Sequence, residues 1–245
     1  MIYSCVTDRG RKRPVNEDAC YVCKPDDNSC VAVVCDGMGG ENAGEVASGL
    51  AVKIISERIN NGWRKDMPFS SVRALLESAI SAANAVIGSE AEKNISCKGM
   101  GTTVVAAAVI GSEAVIAHAG DSRCYVFDGK LRRVTKDHSF VQELVDAGRL
   151  SEEEAAGHPK RNYITRALGI NDTIDVDYDI LTLQPGELLL LCSDGLYNFV
   201  GNDEAEEILR SFPIKDAAER LADAANKNGG GDNITAVVIS PAQGE

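Results

Sequence analysis

No apolar run in this chain approaches the roughly 20 residues that a membrane-crossing helix requires, which argues against an integral membrane protein. The first residues, Met1-Ile2-Tyr3-Ser4-Cys5, lack the basic stretch and apolar core of a secretion signal, so the expected location is the cytoplasm. Bases are in deficit: 25 Lys and Arg stand against 37 Asp and Glu, a net charge of −12. Phosphate backbones are neutralised by a basic face, so no nucleic-acid partner is expected. Internal repeats, low-complexity segments and linkers are also missing, and residues 1–245 read as a single domain. A Gly-Lys-Ser/Thr phosphate loop is absent as well. Val31 to Cys35 followed by Gly37-Met38-Gly39-Gly40 imitates a strand–glycine–helix nucleotide cradle. There, however, Asn42 holds the third glycine position and Asp36 would repel a pyrophosphate, so a nucleotide-binding module is set aside.

Cysteine is plentiful, with eight residues. Cys20 and Cys23 have a zinc-knuckle gap, but Ala19 to Val22 reads as a strand, and their odd offset points the two thiols to opposite faces. Cys35 and Cys192 sit in apolar runs, where a thiol packs as a small hydrophobe. Buried, reduced thiols are expected rather than zinc or disulfides.

The pattern predicts strands over Ile2–Thr7, Ala19–Cys23 and Cys30–Cys35, then helices from Asn42 to Ile59 and Phe69 to Lys93, the second capped by Ser70 or Ser71. Strands return at Thr102–Ile110, Ala114–His118, Arg123–Phe127 and Leu131–Val134, with Asp128-Gly129 as a hairpin turn. A short helix spans Phe140–Ala147, with His138 at its start. Gly148 to Gly169 is polar and irregular, and Glu152-Glu153-Glu154 reads as a solvated run. Strands Ile174–Leu183 and Glu187–Cys192 follow, then helices capped by Asn202 or Asp203 and over Ile214–Ala225, and a last strand, Ile234–Ile239. Back-to-back helices and short strand pairs favour antiparallel sheets with helices packed outside.

Acidic motifs punctuate this pattern: Arg13-Pro14-Val15-Asn16-Glu17-Asp18, Asp36-Gly37-Met38-Gly39-Gly40, Gly120-Asp121-Ser122-Arg123, Ser193-Asp194-Gly195 and Gly231-Asp232-Asn233. Asp36, Asp121 and Asp194 follow apolar runs that read as buried strands. An acid delivered at a buried strand end is costly unless its charge is compensated. Repetition at distant points suggests strand ends converging on a divalent cation, and all-oxygen ligands suit magnesium or manganese. Two such ions sharing a carboxylate can activate one water for in-line attack on a phosphoester. Arg13 supplies a planar fork for phosphate oxygens.

With these motifs in this order, the chain resembles the PP2C (PPM) metal-dependent protein phosphatases, in the compact bacterial form that is all catalytic domain. The resemblance runs from Arg13 to Asn233. It implies an α+β fold, a four-layer αββα sandwich of two stacked antiparallel sheets flanked by helices. It implies hydrolysis of phosphoserine and phosphothreonine through a metal-bridged hydroxide, with two core Mn2+ or Mg2+ ions and a third. Asp36 would bridge the core pair; Glu17 and the Gly37 carbonyl would complete one ion, and Asp194 and Asp232 would hold the other. Asp121 would join Asp194 at the third site. Asp18 would act on metal-bound waters, and Arg13 would bind substrate phosphate. Residues 148–169 would form a flap beside the site. Expected partners are phosphorylated proteins made by a cognate Ser/Thr kinase, with the phosphatase a monomer.

One departure stands out: Met38 and Glu41 occupy positions where many relatives carry a histidine proton donor. His158, in the flap, is the remaining candidate donor, and a metal-bound water is the alternative. His118 is expected to pack near Asp121, and Asp121 itself could instead pair with Arg123. Rival readings on the same fold are a catalytically weak scaffold and a phosphatase specialised for a partner-switching regulator. Loss of a metal aspartate would favour the scaffold, and none is lost.

Overall fold

The computed structural model describes residues 1–39 and 43–241. Gly40, Glu41 and Asn42 therefore lie outside the described residues, including the expected start of the first helix and one of the expected histidine positions. One sheet runs β1 (Ile2–Asp8), β11 (Ile234–Ser240), β10 (Leu188–Cys192), β7 (Arg123–Phe127) and β8 (Leu131–Arg133) in spatial order. The other runs β2 (Asp18–Cys23), β3 (Ser29–Met38), β5 (Val104–Ile110), β6 (Glu113–Ala119) and β9 (Asp177–Thr182), with the two-residue β4 (Gly101–Thr102) beside the end of β3. Every strand pairing is antiparallel.

The period of two along a strand builds the layers. On β3, Val31, Val33 and Cys35 enter a core shared with helices α1 (Ala43–Gly62) and α2 (Phe69–Lys93), while Cys30, Ala32 and Val34 enter the core between the sheets. On β10, Leu188, Leu190 and Cys192 face α5 (Asp194–Tyr197), α6 (Asn202–Ser211) and α7 (Ile214–Lys227), while Leu189 and Leu191 face the inter-sheet core. Both faces of the central strands are buried, so they read as continuous apolar runs. The result is the expected αββα sandwich. Among the described residues, no helix is long and apolar enough to cross a membrane.

Local chemistry moves several boundaries. Helix α2 begins after Pro68 and α6 after Gly201, neither with a side-chain cap, so Ser70, Ser71, Asn202 and Asp203 are not caps. Proline's fixed φ, −58° at Pro68, pre-sets the approach to a helix that packing then holds. Ser139, not His138, caps α3 (Phe140–Asp146), its hydroxyl accepting from the Gln142 amide. The 148–169 segment contains a helix, α4 (Glu152–Ala156), closed by a Ser151/Glu154 capping box. The acidic run is thus partly structural: Glu154 accepts from the Ser151 amide at 2.8 Å. The expected Thr102–Ile110 strand is interrupted at Thr103, whose hydroxyl accepts from the Asp36 amide at 2.9 Å.

Candidate metal centre

The acidic motifs meet at one end of the sandwich. Register places Asp18 opposite Asp36 across β2 and β3. Asp121 follows β6, Asp194 opens α5 straight after β10, and Asp232 precedes β11. Glu17, Asp36, Gly37, Asp121, Asp194, Asp232 and Arg13 line a single cavity of about 260 Å3, joined by Thr103, Met38, Asn233 and, from the 148–169 segment, Asn162 and Ile164. A second cavity of about 230 Å3 adjoins it, sharing Asp121, Asp194 and Asn162 and continuing past Arg123, Arg133 and Arg161.

Close backbone approach makes this convergence possible. The Gly37 amide donates to the Glu17 carbonyl at 3.0 Å. A Cβ on Gly37 would stand 2.1 Å from the Gly44 carbonyl oxygen, and one on Gly195 would stand 1.9 Å from that of Asn233. Asn233 ties the first motif to the last: its side-chain oxygen accepts from the Glu17 amide, and its side-chain amide donates to the Arg9 and Val15 carbonyls.

The site is electrostatically frustrated as a bare protein. Burial, reinforced by Asp18, Asp194, Asp121 and Asp232, holds the Asp36 carboxyl well above the ordinary range. Burial pushes Asp18 up to about 7 against the hydrogen bond it accepts from the Ser193 hydroxyl. Burial raises Asp121 to about 7, with Asp194 adding to it, and raises Asp194 to about 6, with Asp232 adding to it. Arg13, 2.8 Å from Asp232, is the cation within the cavity lining. A set of oxygen donors this crowded, with one arginine against them, fits hard divalent cations. The sign follows from the raised folded pKa values: mutual repulsion is fully present above about 7 and relieved by protonation as the pH falls. The rise in melting temperature produced by saturating magnesium should therefore be larger at pH 8 than at pH 5.5, a difference that differential scanning fluorimetry reads directly. An equal rise at both would show that these carboxylates do not take the ion.

A family profile for protein phosphatase 2C matches residues 7–236. The chain belongs to that family. The serine/threonine phosphatase stp of Listeria monocytogenes is 41% identical over 238 residues, covering 95% of this chain and 93% of the relative. Stp1 from Staphylococcus aureus superposes with a TM-score of 0.90 at 35% identity, over 99% of this chain and 95% of that one. The catalytic domain of PstP, a serine threonine protein phosphatase, in complex with 2 manganese ions gives a TM-score of 0.84 at 36% identity, over 97% and 96% of the two chains.

Within this PP2C chain, Asp18 is not part of the cavity lining. It is buried beside Asp36, opposite it across the β2–β3 pairing, taking a 2.6 Å hydrogen bond from the Ser193 hydroxyl and leaving Oδ1 without a partner. Asp121 does not pair with Arg123, which grips Asp137 with contacts of 2.6–3.2 Å and lies 3.5 Å over the Tyr197 ring. Tyr197 in turn donates to the Asp121 carbonyl at 3.1 Å. Residues with no acidic signature thus hold the acids: the Thr103 hydroxyl takes the Asp36 amide, Ser193 grips the Asp18 carboxylate and Tyr197 holds the Asp121 carbonyl, and nothing in their spacing marks them.

The histidines serve elsewhere. His158 packs against Phe140, with ring centroids 6.2 Å apart, and its Nδ1 accepts from the Lys160 amide. His118 and His138 stack at 4.7 Å. The His118, His138 and Asp177 donor atoms lie within 4.8 Å of one another, but Arg166 already occupies that group, 2.8 Å from Asp177 and 3.2 Å from His138 Nε2. It anchors the C-terminal end of the 148–169 segment to β9.

Proposed function

We propose that this chain is a protein serine/threonine phosphatase, a single catalytic domain over residues 1–245 with residues 148–169 as its flap. One observation carries the reading: Glu17, Asp36, Asp121, Asp194 and Asp232, from separate strand ends, line one cavity with Arg13 inside a PP2C fold. Asp36, Glu17 and the Gly37 carbonyl, with Asp194 and Asp232, would hold two divalent cations, manganese or magnesium, and Asp121 with Asp194 a third. Bound there, such ions supply Lewis-acid activation of water and neutralise charge developing on the phosphoester.

The remaining roles fall to the chain itself. Arg13, half-exposed at the cavity rim, presents its guanidinium to the phosphate of an incoming side chain. Asp18, opposite Asp36 in register and braced by Ser193, supports Asp36 from the neighbouring strand without facing the cavity. Asn162 and Ile164 bring the flap over the same cavity and meet the peptide around the phosphorylated residue. No histidine is among the residues that line the cavity, so the leaving alcohol draws its proton from water there. The substrates are phosphorylated proteins, and a Ser/Thr kinase of the same cell is the natural source of them.

Arg13→Ala should raise KM for a phosphopeptide roughly tenfold while changing kcat much less. An unchanged KM in steady-state assays would remove Arg13 from phosphate binding. The substrate class is tested by phosphate release from matched phosphoserine, phosphothreonine and phosphotyrosine peptides in manganese buffer. Turnover of the first two well above the third is expected. No turnover of any of them would promote the scaffold reading.

A further inference from the structure

Away from the acidic cavity, two thiols from different sheets meet. Cys5 Sγ and Cys20 Sγ lie 3.1 Å apart, in hydrogen-bond contact, and both are free. Strand β1 is the edge of one sheet and β2 the edge of the other. Cys5 pairs in register with Val237 and Cys20 with Val34, and both of those neighbours lie in the inter-sheet core. Ser4, of opposite parity, takes a hydrogen bond from the Ala218 amide of α7 on the other face. Cys5 and Cys20 thus point at each other across the open edge of the sandwich, and a neighbouring tie, Asn16 Nδ2 to Thr7 Oγ1 at 2.9 Å, holds the same two edges together.

We propose that Cys5 and Cys20 form an oxidation site, a dithiol that hydrogen peroxide converts to an inter-sheet disulfide. Cys5 is exposed and reachable by the oxidant, whereas Cys20 is half-buried beside it. The Cys20 hydrogen bond lowers the Cys5 pKa and the same contact raises that of Cys20, which makes Cys5 the attacking thiol. Cys5 attacks one peroxide oxygen, giving a sulfenic acid and water; the Cys20 sulfur then displaces the hydroxyl from Cys5, releasing a second water and forming the S–S bond. Two electrons leave the sulfur pair and reduce one peroxide to two waters. Closing the bond requires the sulfurs to approach by about 1 Å, to the usual spacing near 2.05 Å.

Of the other cysteines, Cys30, Cys35, Cys97, Cys124 and Cys192 are buried. Cys23 is half-buried and packs on the opposite face of β2, against the helix-side core. The chemistry is therefore selective for one pair. The ring it would close spans the β1–β2 connection and contains Arg13, Glu17 and Asp18, so oxidation would staple the segment that carries the first acidic motif.

Intact-mass analysis and peptide mapping of the full chain test this without any activity measurement, so its failure leaves the phosphatase reading untouched. Peroxide treatment should remove about 2 Da, map a Cys5–Cys20 cross-link, and be reversed by dithiothreitol. The oxidised protein should melt on the order of 5–10 °C higher, as expected for closing a ring of this length. Cys5→Ser should abolish the 2 Da loss, and Cys20→Ser should leave Cys5 to gain oxygen instead. Wild-type protein whose Cys5 and Cys20 both remain alkylatable after peroxide, a cross-link mapping to another pair, or an unchanged melting temperature would overturn the proposal.

Discussion

Asp36→Asn should lower kcat on a phosphothreonine peptide by roughly a thousandfold, the scale seen when a group aimed at developing charge is removed, while the metal-free protein becomes more stable. The substitution keeps the shape of the side chain and leaves the backbone bonds to Thr102 and Thr103 in place. It removes the most strongly perturbed of the clustered acids, one that faces Asp18, Asp194, Asp121 and Asp232 out of water. Because its folded pKa is raised, the ionised carboxylate opposes folding at every pH above the range of an unfolded aspartate. Relief of that cost should show as a higher melting temperature of the metal-free variant. Thermal unfolding in chelator, beside steady-state kinetics in manganese, separates the two effects. A variant that loses activity and also melts lower in chelator would point to a structural role for Asp36 instead.

Gly195→Ala should damage the site without touching a carboxylate. Its Cβ would meet the Asn233 backbone oxygen at 1.9 Å and its carbon at 2.9 Å, and neither atom can rotate away. Either α5 or the 231–233 turn has to move, carrying Asp194 or Asp232 with it. Overpacking of this kind costs about 1–3 kcal/mol, and the melting temperature should fall by roughly 5–10 °C. Displacing one of these acid-bearing turns by a fraction of an ångström should also cost on the order of a hundredfold in kcat/KM. Gly201→Ala is the control, because nothing lies within 4 Å of a Cβ there. Equal behaviour of the two variants would show that the close approach of α5 to Asn233 has no part in holding the site.

The layers were legible because the chain states them twice. Val31 to Cys35 and Leu188 to Cys192 are apolar at every position, the pattern of a strand buried on both faces, and the acids that follow mark the strand ends. The acids could be gathered from sequence because burial makes each one expensive alone. Their ranking could not. Asp18 and Asp36 stand opposite each other and share one face of the sheet, so what separates them is depth: Asp18 is buried against Ser193 while Asp36 opens to the cavity, and spacing does not disclose that. The hydroxyls of Thr103 and Ser193 were invisible for a similar reason: one accepts from the Asp36 amide and the other donates to the Asp18 carboxylate, yet each looks like any other strand-end Ser or Thr. Helix starts also misled, since Pro68 and Gly201 open α2 and α6 without a side-chain cap and packing supplies the rest. The Cys5–Cys20 contact joins residues fifteen apart on different sheets, a proximity that spacing alone does not disclose.

The most direct measurement is phosphate release from a phosphothreonine peptide by protein stripped of metal, before and after manganese is restored. Wild-type protein should show no turnover when stripped and full turnover when manganese returns, and Asp36→Asn should show neither. Stripped wild-type protein that keeps its rate, or Asp36→Asn that recovers it with manganese, would contradict the assignment of these strand-end acids to a catalytic metal centre.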